Sequence, residues 1–116
     1  MVHKQRVFCI TDVTTPEDLA EKLTEHTWTR CTAFRLGKLL FLNDAFSEDG
    51  AQEYAAVIDG PEQIQVESIT FSWCNHDEAL ECIRKCIAYA EGKEPAPIQS
   101  PVKVLSDHKY PCHLCA

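Results

Sequence analysis

The cysteines and histidines near the end of this 116-residue chain have the spacing of a metal-binding segment. Cys112 and Cys115 form a Cys-x-x-Cys pair, which allows two thiolates to hold one tetrahedral zinc ion from a tight turn. His108 lies four residues before this pair and is a candidate third ligand. A closed structural site needs a fourth ligand. We expect it from Cys74 or His76, which precede the second predicted helix.

Other interpretations of this segment stay open. The pair would suit redox chemistry only weakly, because it does not open a helix after a strand, the setting that lowers a thiol pKa. A second alternative is that the two thiols are incidental and have no function. A third is that the segment binds zinc jointly with a second copy of the chain, which would form a homodimer. The remaining cysteines lie among apolar residues, where cysteine usually belongs to the core. These are Cys9, Cys31, Cys82 and Cys86.

The middle of the chain is strongly acidic. Residues 39–83 contain ten carboxylates and no Lys or Arg, and the whole chain has a formal net charge of -7. This charge disfavours direct binding to nucleic acid or to an anionic membrane. It favours a negative surface that attracts a protein partner with a basic surface. The carboxylates that we assign to this surface are Asp44, Glu48, Asp49, Glu53, Asp59 and Glu62.

Two alternatives compete with a binding surface for these carboxylates. In the first, the carboxylates simply cover the solvent-exposed face of a sheet and keep the protein soluble. A calcium or magnesium site between Asn43 and Glu53 would use the same oxygen ligands, but the spacing misses the EF-hand pattern.

An enzyme is the alternative to a binding module. Its site would use Cys74 with His76 as nucleophile and base, or Glu53 with Glu67 as an acid–base pair. Residues two positions apart seldom bring sulfur and imidazole into contact, and no catalytic motif is present. We therefore expect a small, non-enzymatic interaction or regulatory module.

The elements that would position these residues begin with a strand at 7–13. A helix follows, with Thr15 as its cap and Pro16 at its first position, and it is expected to end near Thr27. A tight hairpin at Gly37 and a bulge near Glu67 or Ser68 are also expected. The further predicted strands are 29–36, 38–46, 52–58 and 63–73.

The second predicted helix has the clearest signals. Asn75 is a good cap, Glu78 follows at capping-box spacing, and Gly92 is a typical helix stop. The resulting order is β-α-β-β-β-β-α. We predict an α+β fold with an antiparallel sheet of four to five strands and both helices packed on one face.

Composition changes after the second helix. We predict an α+β domain at 1–92, a proline-rich linker at 93–101 and a tail at 102–116 that carries the Cys-x-x-Cys pair. Residues 102–105 have the character of a short edge strand. The N-terminal apolar stretch is too short for an export signal, so the expected location is the cytoplasm.

Overall fold

The computed structural model describes residues 6–24, 32–46, 52–60, 62–70, 75–101 and 104–109. They form an α+β fold, which confirms the predicted class. The strands are β1 (Arg6–Asp12), β2 (Thr32–Leu36), β3 (Leu39–Phe46), β4 (Gln52–Ile58), β5 (Ile64–Thr70), β6 (Ser100–Pro101) and β7 (Val104–Lys109). The helices are α1 (Pro16–Leu23), which follows β1, and α2 (His76–Ala90), which follows β5.

All seven strands belong to one sheet, in the order β6-β5-β4-β3-β2-β1-β7. β1 runs parallel to both β2 and β7, and the other neighbouring pairs are antiparallel. The sheet therefore has more strands than the four to five predicted, and two parallel pairings accompany the predicted antiparallel ones. The connection from β1 through α1 is a crossover, long enough to return the chain in the same direction, so β2 becomes a parallel neighbour.

Local capping signals begin both helices where the sequence predicts. The backbone N–H of Asp18 donates to Thr15 Oγ1 at 3.1 Å, and that of Glu78 donates to Asn75 Oδ1 at 2.9 Å. These bonds satisfy N–H groups that have no partner within the helix. α1 ends at Leu23, earlier than expected.

Two glycines adopt the left-handed backbone conformation that side chains disfavour. Gly37, with φ of 59°, forms the turn between β2 and β3, as predicted. Gly92, with φ of 74°, follows the end of α2, and its N–H donates to the carbonyl oxygen of Tyr89 at 3.1 Å. Both positions use the freedom that only glycine has.

A bulge in β5 reconciles the two apolar phases of this strand. Glu67 pairs with Ala56, whereas Gln65 pairs with Val57, so Val66 is the extra residue. An extra residue reverses the alternation of faces, and this allows Val66 and Ile69 to join the same buried cluster. The bulge lies beside the predicted position and confirms that expectation.

Both helices pack on one face of the sheet, as predicted. Leu19 of α1 and Ile83 of α2 belong to one cluster with Phe34, Phe41 and Tyr54 of the strands, and all five are fully buried. Strand alternation places a second buried cluster on the opposite face. Its members are Ile10, Ala33, Leu40, Leu42, Ala55 and Val57.

The last part of the chain contributes strands to the same sheet. β6 pairs with β5, and β7 pairs with β1 at the opposite edge. These two strands fall in the predicted linker and tail, whose boundaries stay predictions. Among the described helices, neither is long and apolar enough to cross a membrane.

Candidate functional site

The predicted metal ligands fall in different parts of the structure. His108 lies in β7, where it is in register with Cys9 of β1. Sequence reasoning placed Cys9 in the core and did not connect it with His108, because no local signal reveals a parallel pairing between the two ends of a chain. Cys112, Cys115 and Cys74 lie outside the described residues.

His76 is the first residue of α2 and contacts α1. Its Nε2 lies 3.2 Å from the carbonyl oxygen of Glu17, and its Nδ1 lies 3.8 Å from Asp77 Oδ1. Within the described ranges, no group of three or more His, Cys, Asp or Glu side chains is arranged to hold a metal ion. The zinc site therefore stays a prediction.

The carboxylates assigned to a binding surface separate into two groups along the sheet. Asp44 lies in β3 and Glu53 in β4, and Glu48 and Asp49 fall in the connection between these strands, outside the described residues. One hairpin thus carries four of the six residues. Asp59 and Glu62 instead follow the other end of β4. The strand separates the two groups by roughly 20 Å.

Arg35 forms an ion pair with Asp59, and the sequence did not predict this contact. Arg35 Nε lies 3.9 Å from Asp59 Oδ2, and its Nη1 lies 3.4 Å from Asp12 Oδ1. Arg35 comes from β2, outside the acidic block, and its position in the ladder opposite Asp12 depends on the parallel pairing. Asp59 is only half-exposed, whereas Glu62 is exposed.

Three further acidic residues of the block lie on α2. Asp77, Glu78 and Glu81 are exposed on the first half of α2. Arg84 of the same helix pairs with Glu17 of α1 at 3.6 Å, outside the block. Among the ion pairs of the described residues, Asp59 is the only carboxylate of the 39–83 block that a Lys or Arg reaches.

The register of β4 and β5 separates the two carboxylates considered as an acid–base pair. Glu53 pairs with Thr70, and Glu67 pairs with Ala56. Three ladder positions correspond to about 10 Å between the two backbone positions. Glu67 Oε1 accepts a hydrogen bond from the backbone N–H of Ser68 at 3.0 Å. The register therefore does not place these two residues opposite each other.

A groove of about 730 Å³ lies where β1 and β2 end and α1 begins. Its size is in the range of ligand-binding clefts. Lys38 and Glu91 are its charged residues, and most of the others are apolar. The complete lining is Thr14, Pro16, Leu36, Gly37, Lys38, Leu39, Ile87, Ala90 and Glu91.

The buried thiol of Cys86 has a structural role. Burial, the negative charge of Glu67 and the neighbouring Cys82 raise the pKa of Cys86 to about 12. Cys86 is fully buried and belongs to the cluster beneath the helices, as the sequence predicts. Since the thiolate is the reactive species, this cysteine is not a nucleophile at neutral pH.

We expect Cys86 to resist alkylation in the folded protein. At pH 8, iodoacetamide should modify Cys86 at least about a hundredfold more slowly in the native protein than in urea, because both burial and the raised pKa suppress the thiolate. Peptide mass spectrometry over a time course measures both rates. Equal rates would show that this position is open to solvent.

No protein-family model, curated protein or solved structure matches this chain. Its function is therefore inferred from the charge, burial and geometry of its own residues.

Proposed function

We propose that this chain is a non-enzymatic interaction module that binds a protein partner with a basic surface. The observation that carries this proposal is that residues 39–83 contain ten carboxylates and no Lys or Arg. Within the described residues, Arg35 is the only Lys or Arg paired with that block, and it reaches Asp59 alone. A cationic partner would neutralise these carboxylates, and long-range attraction would accelerate the encounter.

The hairpin formed by β3 and β4 is the preferred contact region. Asp44, Glu48, Asp49 and Glu53 all belong to it, and its ten-residue span from 44 to 53 contains no Lys or Arg. Neighbouring strands lie about 4.8 Å apart, and the Debye length at physiological salt is about 8 Å. Like charges at such separations are only partly screened, so a cation bound at this hairpin would relieve repulsion between its carboxylates.

The other two assigned residues contribute unequally. Asp59 is already paired with Arg35, so a partner gains less from it, whereas Glu62 is exposed and free to add to the surface. The same negative charge disfavours nucleic acid and anionic membranes as partners. Cytoplasmic location is part of this proposal.

Neutralising the hairpin carboxylates is expected to weaken binding of a basic probe. The variant combines Asp44→Asn, Glu48→Gln, Asp49→Asn and Glu53→Gln. We expect its Kd for oligolysine, measured by fluorescence anisotropy, to rise at least about tenfold, equivalent to about 1.4 kcal/mol. The Kd of the unmodified chain should also rise steeply across a salt series, because electrostatic capture is screened by salt.

A matched control changes the same amount of charge elsewhere. Four substitutions to Gln at Glu17, Glu21, Glu91 and Glu94 alter carboxylates outside the block. We expect this control to raise the Kd less than about threefold. An equal loss in both variants would show that only net charge matters, and a Kd that does not change with salt would exclude electrostatic binding. Protein partners captured from the native host should be lost with the hairpin variant and retained with the control.

A further inference from the structure

The outer edge of β5 is open over its second half. β6, a strand of two residues, pairs with Ile64 and Gln65. The backbone N–H of Ile98 then donates to the carbonyl oxygen of Val66 at 3.3 Å. Among the residues that the structure describes, no strand continues this outer row beside residues 67–70. An edge of this kind presents backbone groups with which another strand can pair.

The backbone of Ser68 faces outward at this edge. The bond from Ile98 shows that Val66 turns its carbonyl oxygen to the outer side of β5. Alternate residues of a strand turn their N–H and C=O groups to the same side, so Ser68 and Thr70 direct theirs away from β4. The N–H of Ser68 donates to Glu67 Oε1 at 3.0 Å. A side-chain carboxylate thus occupies the position that the carbonyl oxygen of an added strand would take.

We propose that an extended segment of the partner adds to β5 as a strand beside residues 67–70, and that this segment carries Lys or Arg at alternate positions. This inference rests on the proposed function, because it specifies how the basic partner binds. A carbonyl oxygen of the segment would replace Glu67 at the N–H of Ser68, and the released carboxylate would pair with a basic side chain. In strand addition, backbone hydrogen bonds supply affinity and alternate side chains supply specificity.

The alternate spacing follows from the face of the sheet on which Glu67 lies. Glu67 pairs with Ala56, a member of the cluster beneath the helices. Its negative charge also contributes, after burial, to the raised pKa of Cys86 on α2. Successive residues of a strand alternate between faces, and paired positions of neighbouring strands share a face. Every second side chain of an added strand would therefore lie on the same face as Glu67 and α2.

Exposed carboxylates on α2 give this face a negative charge. Asn75, the cap of α2, follows Thr70 by five positions, which cover at most about 18 Å. Cys86, nearer the end of α2, is close to Glu67, so the helix runs back along β5. The exposed carboxylates of its first half are Asp77, Glu78 and Glu81. Residues 62–83 contain no Lys or Arg, so charge complementarity favours a basic strand at this edge.

The open edge lies at the end of the sheet that leads into the acidic hairpin. Glu53, near the start of β4, pairs with Thr70 at the end of β5. An added strand would lie two strand spacings from β4, about 10 Å, which is close to the Debye length at physiological salt. A basic segment at this edge would therefore still be attracted by the hairpin carboxylates.

Two peptides added to the unmodified full chain separate strand addition from charge. One peptide alternates Lys and Thr. The other has the same sequence with a methyl group on every backbone nitrogen, which removes its donors and keeps its charge. We expect the Kd of the methylated peptide, measured by fluorescence anisotropy, to be at least about tenfold higher. Equal Kd values would overturn strand addition and leave the proposed electrostatic binding intact, whereas absence of binding by both peptides at low salt would overturn both proposals.

Two substitutions of one residue test the edge itself. Ser68→Pro removes the outward N–H, whereas Ser68→Ala removes the side-chain hydroxyl and keeps that N–H. We expect Ser68→Pro to raise the Kd of the Lys–Thr peptide at least about tenfold and Ser68→Ala to raise it less than about twofold. Equal effects of the two substitutions would contradict the assignment of this edge.

Amide hydrogen exchange of the unmodified chain decides the question if Ser68→Pro does not fold. We expect the Lys–Thr peptide to slow exchange of the Ser68 and Thr70 amides, followed by NMR, at least about tenfold. Protection of other amides without these two would overturn the proposal. Protection of these two amides that grows with chain concentration in the absence of peptide would show that a second copy occupies the edge, and would also overturn it.

Discussion

Replacing Phe34 with alanine should lower the free energy of unfolding by about 3–5 kcal/mol. Phe34 is fully buried between the sheet and the helices, and its ring centroid lies 6.5 Å from that of Tyr54. The substitution removes apolar burial and leaves a cavity that the surrounding strands fill only in part. Urea unfolding followed by circular dichroism measures the loss. A small domain has a total stability of only about 5–15 kcal/mol, so partial unfolding without urea agrees with this prediction.

Leu36 provides a control on the same strand and the same face. It packs against the edge of the same cluster, is only half-buried and lines the groove. We expect Leu36→Ala to lower the free energy of unfolding by about 1–2 kcal/mol. The effect is smaller because folding removes less apolar side-chain area from contact with water at this position. Equal effects of the two substitutions, or a loss below about 1 kcal/mol for Phe34→Ala, would contradict the position of Phe34 at the centre of the core.

Alkaline pH should destabilise the protein through Cys86. The folded state raises the pKa of this thiol from 9.0 to about 12. The fold therefore favours the protonated thiol. The contribution of this thiol to the free energy of unfolding is fully present below about pH 9 and is lost as the pH rises towards 12. At pH 11 the two pKa values correspond to a loss of roughly 2–3 kcal/mol. Urea unfolding at a series of pH values measures it.

A comparison with Cys86→Ala isolates the contribution of this thiol. Burial also raises the pKa of Tyr54, but Tyr54 is present in both proteins and its effect cancels. At pH 7 the alanine variant should be less stable by about 1–2 kcal/mol, because it lacks a buried side-chain atom. The difference should shrink and then reverse as pH rises to 11. A difference independent of pH would show that Cys86 does not titrate with a raised pKa.

Glu67 should modulate this alkaline transition. Its negative charge is the second largest cause of the raised pKa of Cys86, after burial. We expect Glu67→Gln to lower that pKa, so the thiol ionises in the folded protein at a lower pH. This shift distinguishes an electrostatic effect of Glu67 from a purely steric one.

Features that depend on a few consecutive residues were predictable from the sequence. Thr15 and Asn75 cap the helices, and Gly37 forms the hairpin turn, because each signal acts within about four positions. The β5 bulge was predictable too, since the apolar phase changes within the strand. The end of α1 was not predictable in this way. The hydroxyl of Thr24 donates to the carbonyl oxygen of Ala20 at 2.9 Å, and a side-chain bond of this kind competes with continuation of the helix.

Features that depend on pairing between strands far apart in the sequence were not predicted. The parallel neighbours of β1 carry no turn signal that links them to it, and β7 is a short strand with mixed polarity. The same limitation applies to the candidate sites. The count of charged residues identified the acidic block. Only the folded structure shows that Arg35 reaches Asp59 and that Cys9 and His108 occupy paired positions in the sheet.

The contact between β1 and β7 also sets an order for the folding of the sheet. Ile10 and Lys109 pair across roughly a hundred residues, whereas β2 and β3 meet through a two-residue turn. Chain-closure entropy makes the distant pairing costlier by about 3 kcal/mol, so hairpins should form first. During synthesis, the backbone edge of β1 remains without this partner until β7 leaves the ribosome. In that interval the unpaired edge of β1 is a template for pairing with a strand of another chain, which promotes aggregation of nascent chains.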